Sequence, residues 1–248
     1  MAETQKIDLL APALRRSQDA GNPCAACSVR EMSICGVLND VEIKELTAII
    51  TNLTQDPHDT IIDEGEAADY LFNVTSGAVK LYKLLPDGRR QITGFLFQGD
   101  FLGIAMNDIY AYSAEAVTRV TLCRFPRRKL EALLDRFPQL ESRLLRMASN
   151  ELVQAQDQML LLGRKTAKEK VCSFLLSLYR RRTLHEGRNA AVPVPMSRAD
   201  IGDYLGLTTE TVSRTFTALK ATGTIRLREG GRVEIPDVEQ LQELAEGG

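Results

Sequence analysis

The chain has 248 residues, 44% of them hydrophobic, with 31 Lys and Arg against 33 Asp and Glu. That length suits one large domain or two smaller ones. The longest apolar runs, such as residues 159–162, fall far short of the ~20 residues a bilayer requires, and 17 Gly with 9 Pro exclude collagen-like and low-complexity chains. The opening MAETQKIDLL lacks the basic flank and apolar stretch of a secretion signal. Five cysteines cannot all pair with one another, which points away from a disulfide framework and toward the cytoplasm.

Residues 1–23 show no sustained period and read as a loose arm, followed by Cys24, Cys27 and Cys35. Over 39–51 the apolar positions Val41, Ile43, Leu46, Ile49 and Ile50 predict a short helix capped by Asn39 or Asp40. Between 60 and 125 the texture changes. Runs at 69–74, 78–85, 91–97 and 117–125 are rich in β-branched and aromatic residues, and Gly65, Gly77, Pro86-Asp87-Gly88 and Gly99 punctuate them. Regular spacing of this kind predicts an antiparallel sandwich or roll, with the Pro-Asp-Gly turn closing a hairpin.

A helical period takes over at Pro138, which suits a first turn, and runs to about Leu162. Leu145, Ala148, Leu152, Ala155, Met159 and Leu162 alternate by three and four, as an a/d seam does. Such a helix either packs on its own sheet or pairs with a second copy, and the narrow, uncharged seam favours the pair. Thr166-Ala167-Lys168-Glu169 is a capping box that opens another helix with Val171, Phe174, Leu175 and Leu178 on its apolar face. Arg180-Arg181-Arg182 suits the negative end of that helix's dipole, with phosphate contact as a secondary role.

Charge is unevenly placed. Residues 163–232 hold 14 Lys and Arg against 6 Asp and Glu, a net +8 on an otherwise acidic body. Within them RADIGDYLGLTTETVSRTFT (198–217) has the constraints of a helix-turn-helix. Gly202 stands where two helices would cross, and Gly206 where a turn needs positive φ. Ile201, Leu205, Leu207, Val212 and Phe216 supply the buried side. Thr208 can cap the second helix, leaving Thr209, Glu210, Ser213 and Arg214 on its outer face, where a recognition helix presents base-reading groups. Arg214 suits guanine O6/N7 and Glu210 suits cytosine N4. Downstream, two short strands flanking Arg228-Glu229-Gly230-Gly231 predict a hairpin wing that carries Arg226, Arg228 and Arg232 toward phosphates. Double-stranded DNA is the expected partner.

Cys24-x2-Cys27-x7-Cys35 and the distant Cys123, on a predicted strand, make four thiolate donors, which suit a [4Fe–4S] cube or a tetrathiolate zinc. Structural zinc usually draws its ligands as two close pairs, and the second pair is absent. Cys172 lies beside a core stripe and reads as a small buried hydrophobe. His58 and His185 read as exposed bystanders, and no catalytic constellation is evident, so no enzyme is expected.

Taken together, an α+β chain with an N-terminal antiparallel β-roll, a long dimerisation helix and a C-terminal winged helix-turn-helix resembles the CRP/FNR superfamily of bacterial transcription regulators. The likeness spans residues 24 to 244. The division it suggests is a ligand arm over 1–38, a β-roll over 39–136, a dimer helix over 137–163 and a DNA-binding domain over 164–248. Four segments are similar to the FNR branch: the cysteine set, Gln91-Ile92-Thr93-Gly94-Phe95, Gly99-Asp100-Phe101-Leu102-Gly103 and Glu210-Thr211-Val212-Ser213-Arg214. The Cys27–Cys35 gap is similar to that of FnrL/FnrN-type members.

The resemblance implies a cytoplasmic, oxygen-responsive homodimer that activates or represses anaerobic genes. In it Cys24, Cys27, Cys35 and Cys123 hold a [4Fe–4S] cluster, Glu210, Ser213 and Arg214 read a TTGAT-type half-site of an inverted repeat, and the bound protein contacts RNA polymerase. Relatives that bind cyclic nucleotides use a Gly-Glu pair and an Arg-Ser pair. Here Ile104 follows Gly103 and Tyr112 precedes Ser113, so no cyclic nucleotide is expected. Enteric FNR has an Asp at the place of Ala155. The alanine removes a like-charge opposition across the twofold axis, so a dimer that forms more readily without the cluster is expected.

Overall fold

The computed structural model describes residue 24 and residues 27–104, 108–186 and 191–248; the loose arm expected over 1–23 and the side chain of His185 lie outside the described residues. After a 3-10 turn at Ile34–Val37 comes helix α1 (Glu42–Ile49). It is two residues shorter at its C-terminal end than expected. Asn39 starts it: its Oδ1 accepts from the amides of Val41 and Glu42, both at 2.9 Å, while Glu42 accepts from the Asn39 amide.

Eight strands follow: β1 (Thr51–Gln55), β2 (Thr60–Ile62), β3 (Tyr70–Ser76), β4 (Val79–Leu84), β5 (Arg90–Leu96), β6 (Phe101–Leu102), β7 (Ser113–Ala116) and β8 (Val120–Pro126). They form two four-stranded antiparallel sheets, ordered β1-β8-β3-β6 and β2-β7-β4-β5. Phe72, Val74, Val79, Leu96, Leu102 and Leu122 fill the space between them. The first sheet is also covered on its outer face, where Leu71, Phe101 and Phe125 pack with α1 and with helix α2 (Arg127–Arg136). Burial on both faces explains why β3 reads as an apolar run rather than an alternation. By contrast β1 is an edge strand, mostly polar and paired only to β8, so its sequence carries little strand signal. The predicted 78–85 to 91–97 hairpin is present. Gly88 has φ +85° and donates to the Leu85 carbonyl at 2.9 Å.

Helix α3 (Pro138–Arg164) has Pro138 in its first turn and leads into α4 (Ala167–Glu186), opened by the reciprocal Thr166–Glu169 hydrogen bonds. Then come β9 (Val192–Pro193), α5 (Arg198–Leu205), α6 (Thr209–Ala221), β10 (Arg226–Arg228), β11 (Arg232–Glu234) and α7 (Val238–Glu246). The arginines toward the end of α4 do more than complement its dipole. Arg181 pairs with Asp100 of the roll and lies 5.1 Å above the Phe97 ring, and Arg180 reaches Gln242.

The β4–β5 hairpin is not free. Ile92 and Phe95 join the same apolar cluster as Val171, Phe174, Ile201, Leu205 and Phe216. Phe95, Phe174 and Tyr204 make a triangle of tilted rings with centroids 5.2–6.2 Å apart. Beside it the Lys80 side chain, 4% exposed, lies between Glu115 (2.8 Å) and Asp200 (3.0 Å). Burial pushes the Asp200 carboxyl up, but the Ser197 and Lys80 hydrogen bonds outweigh it and hold it below the ordinary value. A depressed folded pKa stabilises the docked state above the unfolded value of about 3.9, and that contribution fades as pH falls through the folded value. Asp200→Asn is therefore expected to lower stability at pH 7, with the deficit shrinking below about pH 4. Urea unfolding of both proteins across pH checks this.

Candidate nucleic-acid interface and cysteine cluster

Helix α5 begins with a complete capping box: the Asp200 amide donates to Ser197 Oγ, and the Ser197 amide to Asp200 Oδ2. It ends at Gly206, φ +61°. At Gly202 a Cβ would stand 2.6 Å from the Leu207 carbonyl oxygen, so only glycine lets α6 cross this closely. Thr208 caps α6 by accepting from the Thr211 amide at 3.1 Å. Val212, Phe216 and Leu219 face inward, while Thr209, Glu210 and Arg214 are exposed. Ser213 is half-buried and donates to the Thr209 carbonyl at 2.8 Å, so its oxygen is left outward mainly as an acceptor. Arg214 and Glu210, one helical turn apart, are paired at 2.5 Å. Lys168, which sequence reasoning passed over, shares with Arg214, Thr215 and Thr222 a shallow groove of about 410 Å³. A lysine at a helix N-terminus opposes the dipole, and that was the available signal.

The wing is a three-stranded sheet, β10-β11-β9, with Arg228 opposite Arg232 and Gly230 and Gly231 both at positive φ. Its charge is lower than the sequence suggests. Glu234 accepts from Arg226 at 3.1 Å and from Arg228 at 2.7 Å, and the Arg228 bond is the leading influence holding its carboxyl below the ordinary value. Arg232 is exposed and has no carboxylate partner among the described residues.

Along α3, Leu145, Leu152 and Met159 stand in the open, each at least 60% exposed, and Val153 and Leu160 widen the apolar strip. Ala155 is exposed and Ala148 half-buried on the same side. Leu162 departs from the seam. It is half-buried against the helix-turn-helix core, with Cδ2 3.3 Å from where a Gly206 Cβ would stand. At this end the helix has rotated its d position into the chain's own core.

The four cysteines converge on one end of the roll. Cys24 and Cys35 are buried in the cluster of α1, α2 and the outer face of β3–β8, and Cys27 and Cys123 are half-buried. Cys35 Sγ lies 2.8 Å from Ser33 Oγ. Burial pushes the Cys123 thiol up to about 12, and the other three cysteines add to the rise. Burial likewise raises Cys35, against the Ser33 hydrogen bond, with Cys24 and Cys27 adding. Among the described residues no three His, Cys, Asp or Glu side chains close into a metal-holding group, so the thiols are gathered without forming a finished coordination shell. The donor set nevertheless fits a thiophilic centre. It is all sulfur, its thiols would give up their protons on binding a metal, and Asn73, paired in register with Cys123, has a buried Oδ1 without a partner among the described residues. Cys172, fully buried and raised to about 11 by burial, packs in the other core.

In the roll, Gly103 (φ +91°) donates to Tyr112 Oη at 3.0 Å. Burial pushes Tyr112 up to about 12, so the hydroxyl is neutral at pH 7.

A roll joined through a long helix to a winged helix-turn-helix defines a DNA-binding transcription regulator rather than an enzyme. The sequence matches the cyclic nucleotide-binding domain over residues 54–137 and the Crp-like helix-turn-helix domain over residues 169–244. It is 40% identical to the nitrogen fixation regulation protein FixK of Bradyrhizobium diazoefficiens, over 94% of this chain and 98% of that one. It is 42% identical to the transcriptional activatory protein AadR of Rhodopseudomonas palustris (88% and 91%) and 36% to the transcriptional activator protein FnrL of Cereibacter sphaeroides (90% and 91%). The structure of FixK2 from Bradyrhizobium japonicum superposes with a TM-score of 0.73 at 38% identity, covering 79% of this chain and 97% of that one. The chain belongs to the CRP/FNR superfamily, in its FNR-like branch, as a transcription regulator of the FNR/FixK kind. Among the described residues no helix is long and apolar enough to cross a membrane.

Glu234→Gln is expected to release Arg226 and Arg228, tightening binding to all duplexes alike and steepening the salt dependence by ~0.9 in log–log slope per phosphate gained. Arg214→Ala is expected to cost ~1–3 kcal/mol at one guanine and to relax discrimination there only. Titrations over salt and over base-substituted duplexes separate the two effects.

Proposed function

We propose that this protein is a cytoplasmic, homodimeric regulator of anaerobic genes whose DNA binding requires a [4Fe–4S] cluster and is lost in air. The convergence of Cys24, Cys27, Cys35 and Cys123 on one end of the roll carries this reading. These four would hold the cluster, which when bound supplies an oxygen-labile core tying the cysteine segment to β8.

The remaining steps belong to the protein's own groups. Arg143 on α3 donates to the Met32 carbonyl at 2.8 Å and lies near that of Glu31, so order in the cysteine segment reaches the helix that carries the pairing strip. Arg30 braces the same segment against the Leu38 carbonyl and Asp40. Leu145, Ala148, Leu152, Ala155 and Met159 would then meet their copies across a twofold axis, with Val153 and Leu160 at the margin. Two recognition helices so placed would read an inverted repeat of TTGAT-type half-sites through Thr209, Glu210, Ser213 and Arg214. Arg232 and the wing would hold phosphates, and RNA polymerase would be the partner of the bound dimer. A cyclic nucleotide has no place in this reading, since Ile104 and Tyr112 stand where such ligands draw an acid and an arginine.

Iron and sulfide content, measured with DNA binding before and after air, tests the cluster. The anaerobic protein is expected to be brown, with about four irons per chain, and to lose colour and DNA affinity together. A colourless, air-indifferent zinc protein, or an iron-free protein at full affinity, overturns the oxygen-sensing reading and leaves the regulator family intact. Because Ala155 puts no charge on the pairing strip, the apoprotein is expected to sediment as a dimer at micromolar concentration; a clean monomer rejects that expectation.

A further inference from the structure

The most constrained polar junction outside the DNA and cysteine sites joins α5 to the rest of the molecule. Asp200 uses its two carboxylate oxygens for different purposes. Oδ2 completes the capping box with Ser197, and Oδ1 receives Lys80 Nζ and Arg90 Nη2, both at 3.0 Å. Arg90 also bonds Asp203 Oδ2, so its planar fork spans one turn of α5. Glu115 balances Lys80 from behind at 2.8 Å, and His58 touches Glu115 from the solvent side.

The other end of α5 is held by neutral donors. A helix leaves its last carbonyls without intrahelical partners. The Gly202 carbonyl is taken by the amides of Gly206 and Leu207. Those of Asp203 and Tyr204 are taken from outside the domain: Gln91 Nε2, on β5, donates to Asp203 O at 2.7 Å, and Gln158 Nε2, on α3, donates to Tyr204 O at 2.6 Å. The helix that carries the pairing strip therefore bonds directly to the backbone of the first helix of the DNA reader. The Gly202–Leu207 crossing makes α5 and α6 move together, so whatever fixes α5 also aims α6.

We propose that Lys80, Arg90, Gln91 and Gln158 are positioning residues for DNA reading, which clamp α5 at both ends against the roll and the dimer helix and so set the angle and separation at which two recognition helices meet an inverted repeat. This inference rests on the DNA-binding fold and on pairing through α3, and is independent of the cysteines. In the docked arrangement the reading face of α6, the wing and the apolar strip of α3 are all exposed, so the clamp obstructs none of them.

The test uses the full-length protein and an inverted-repeat duplex that the parent protein selects from a random pool, with companions whose spacer is one base pair longer or shorter. Gln158→Met and Gln91→Leu remove a donor without adding charge. Each is expected to weaken the selected duplex about 3- to 10-fold, as loss of one or two hydrogen bonds implies. The salt slope and the half-site base preference stay unchanged, while the preference for the parental spacer falls. Arg90→Lys, which keeps the charge but not the fork, serves as a milder variant that retains the fold and is expected to show the same broadened spacer tolerance. Folded variants that keep the parental affinity and spacer preference overturn the proposal. So does a loss accompanied by a shallower salt slope, which would make these groups phosphate contacts.

Discussion

One carboxylate organises the meeting of the two halves of this molecule. Asp200 starts the first helix of the DNA-binding motif and, with its second oxygen, ties that helix to Lys80 and Arg90 of the β-roll. Buried ions are costly unless paired and hydrogen-bonded on every side, and here each has a partner: Lys80 two carboxylates, Asp200 two cations and a serine. Apolar packing of Phe95 against Phe174 and Tyr204 surrounds the junction and lowers the local dielectric. Such an arrangement tolerates few geometries, and that gives the fold a defined domain angle in place of a loose linker.

Elsewhere the charges are placed to be displaced. Arg214 with Glu210, and Arg226 and Arg228 with Glu234, are exposed pairs of the kind that contribute little to stability. In the free protein they hold long side chains in one place and mute the positive field. A polyanion competes for them at small cost. The contrast between the buried, fully satisfied junction and the exposed, exchangeable pairs separates the part of the molecule that fixes the domain contact from the face proposed to meet DNA.

The cysteines occupy a third environment. They sit against the outer face of one roll sheet, packed with α1 and α2, where burial and mutual repulsion disfavour the thiolates. At neutral pH such thiols stay protonated and uncharged, and their ionisation there calls for a bound cation. Arg143 and Arg30 grip the backbone beside them, so the order of this short segment and the placement of α3 are one mechanical problem.

Much of this was legible in the sequence because local sterics wrote it there. Gly202 and Gly206 mark a crossing and a turn that favour glycine, Asn39, Thr166 and Thr208 mark helix starts, and Pro86-Asp87-Gly88 marks a hairpin. The cysteine spacing marks a candidate site by its chemistry alone. Edge strand β1 was missed because a strand with one neighbour that turns a single apolar side chain, Leu53, toward the core shows no apolar alternation. Only the tertiary structure decided that Leu162 turns inward, that Glu234 restrains two wing arginines, and that Gln91 and Gln158 close the open end of α5. Each of these depends on which neighbouring element a side chain meets. Local periodicity records burial, but a hydrogen bond or ion pair between side chains of different elements leaves no period to read.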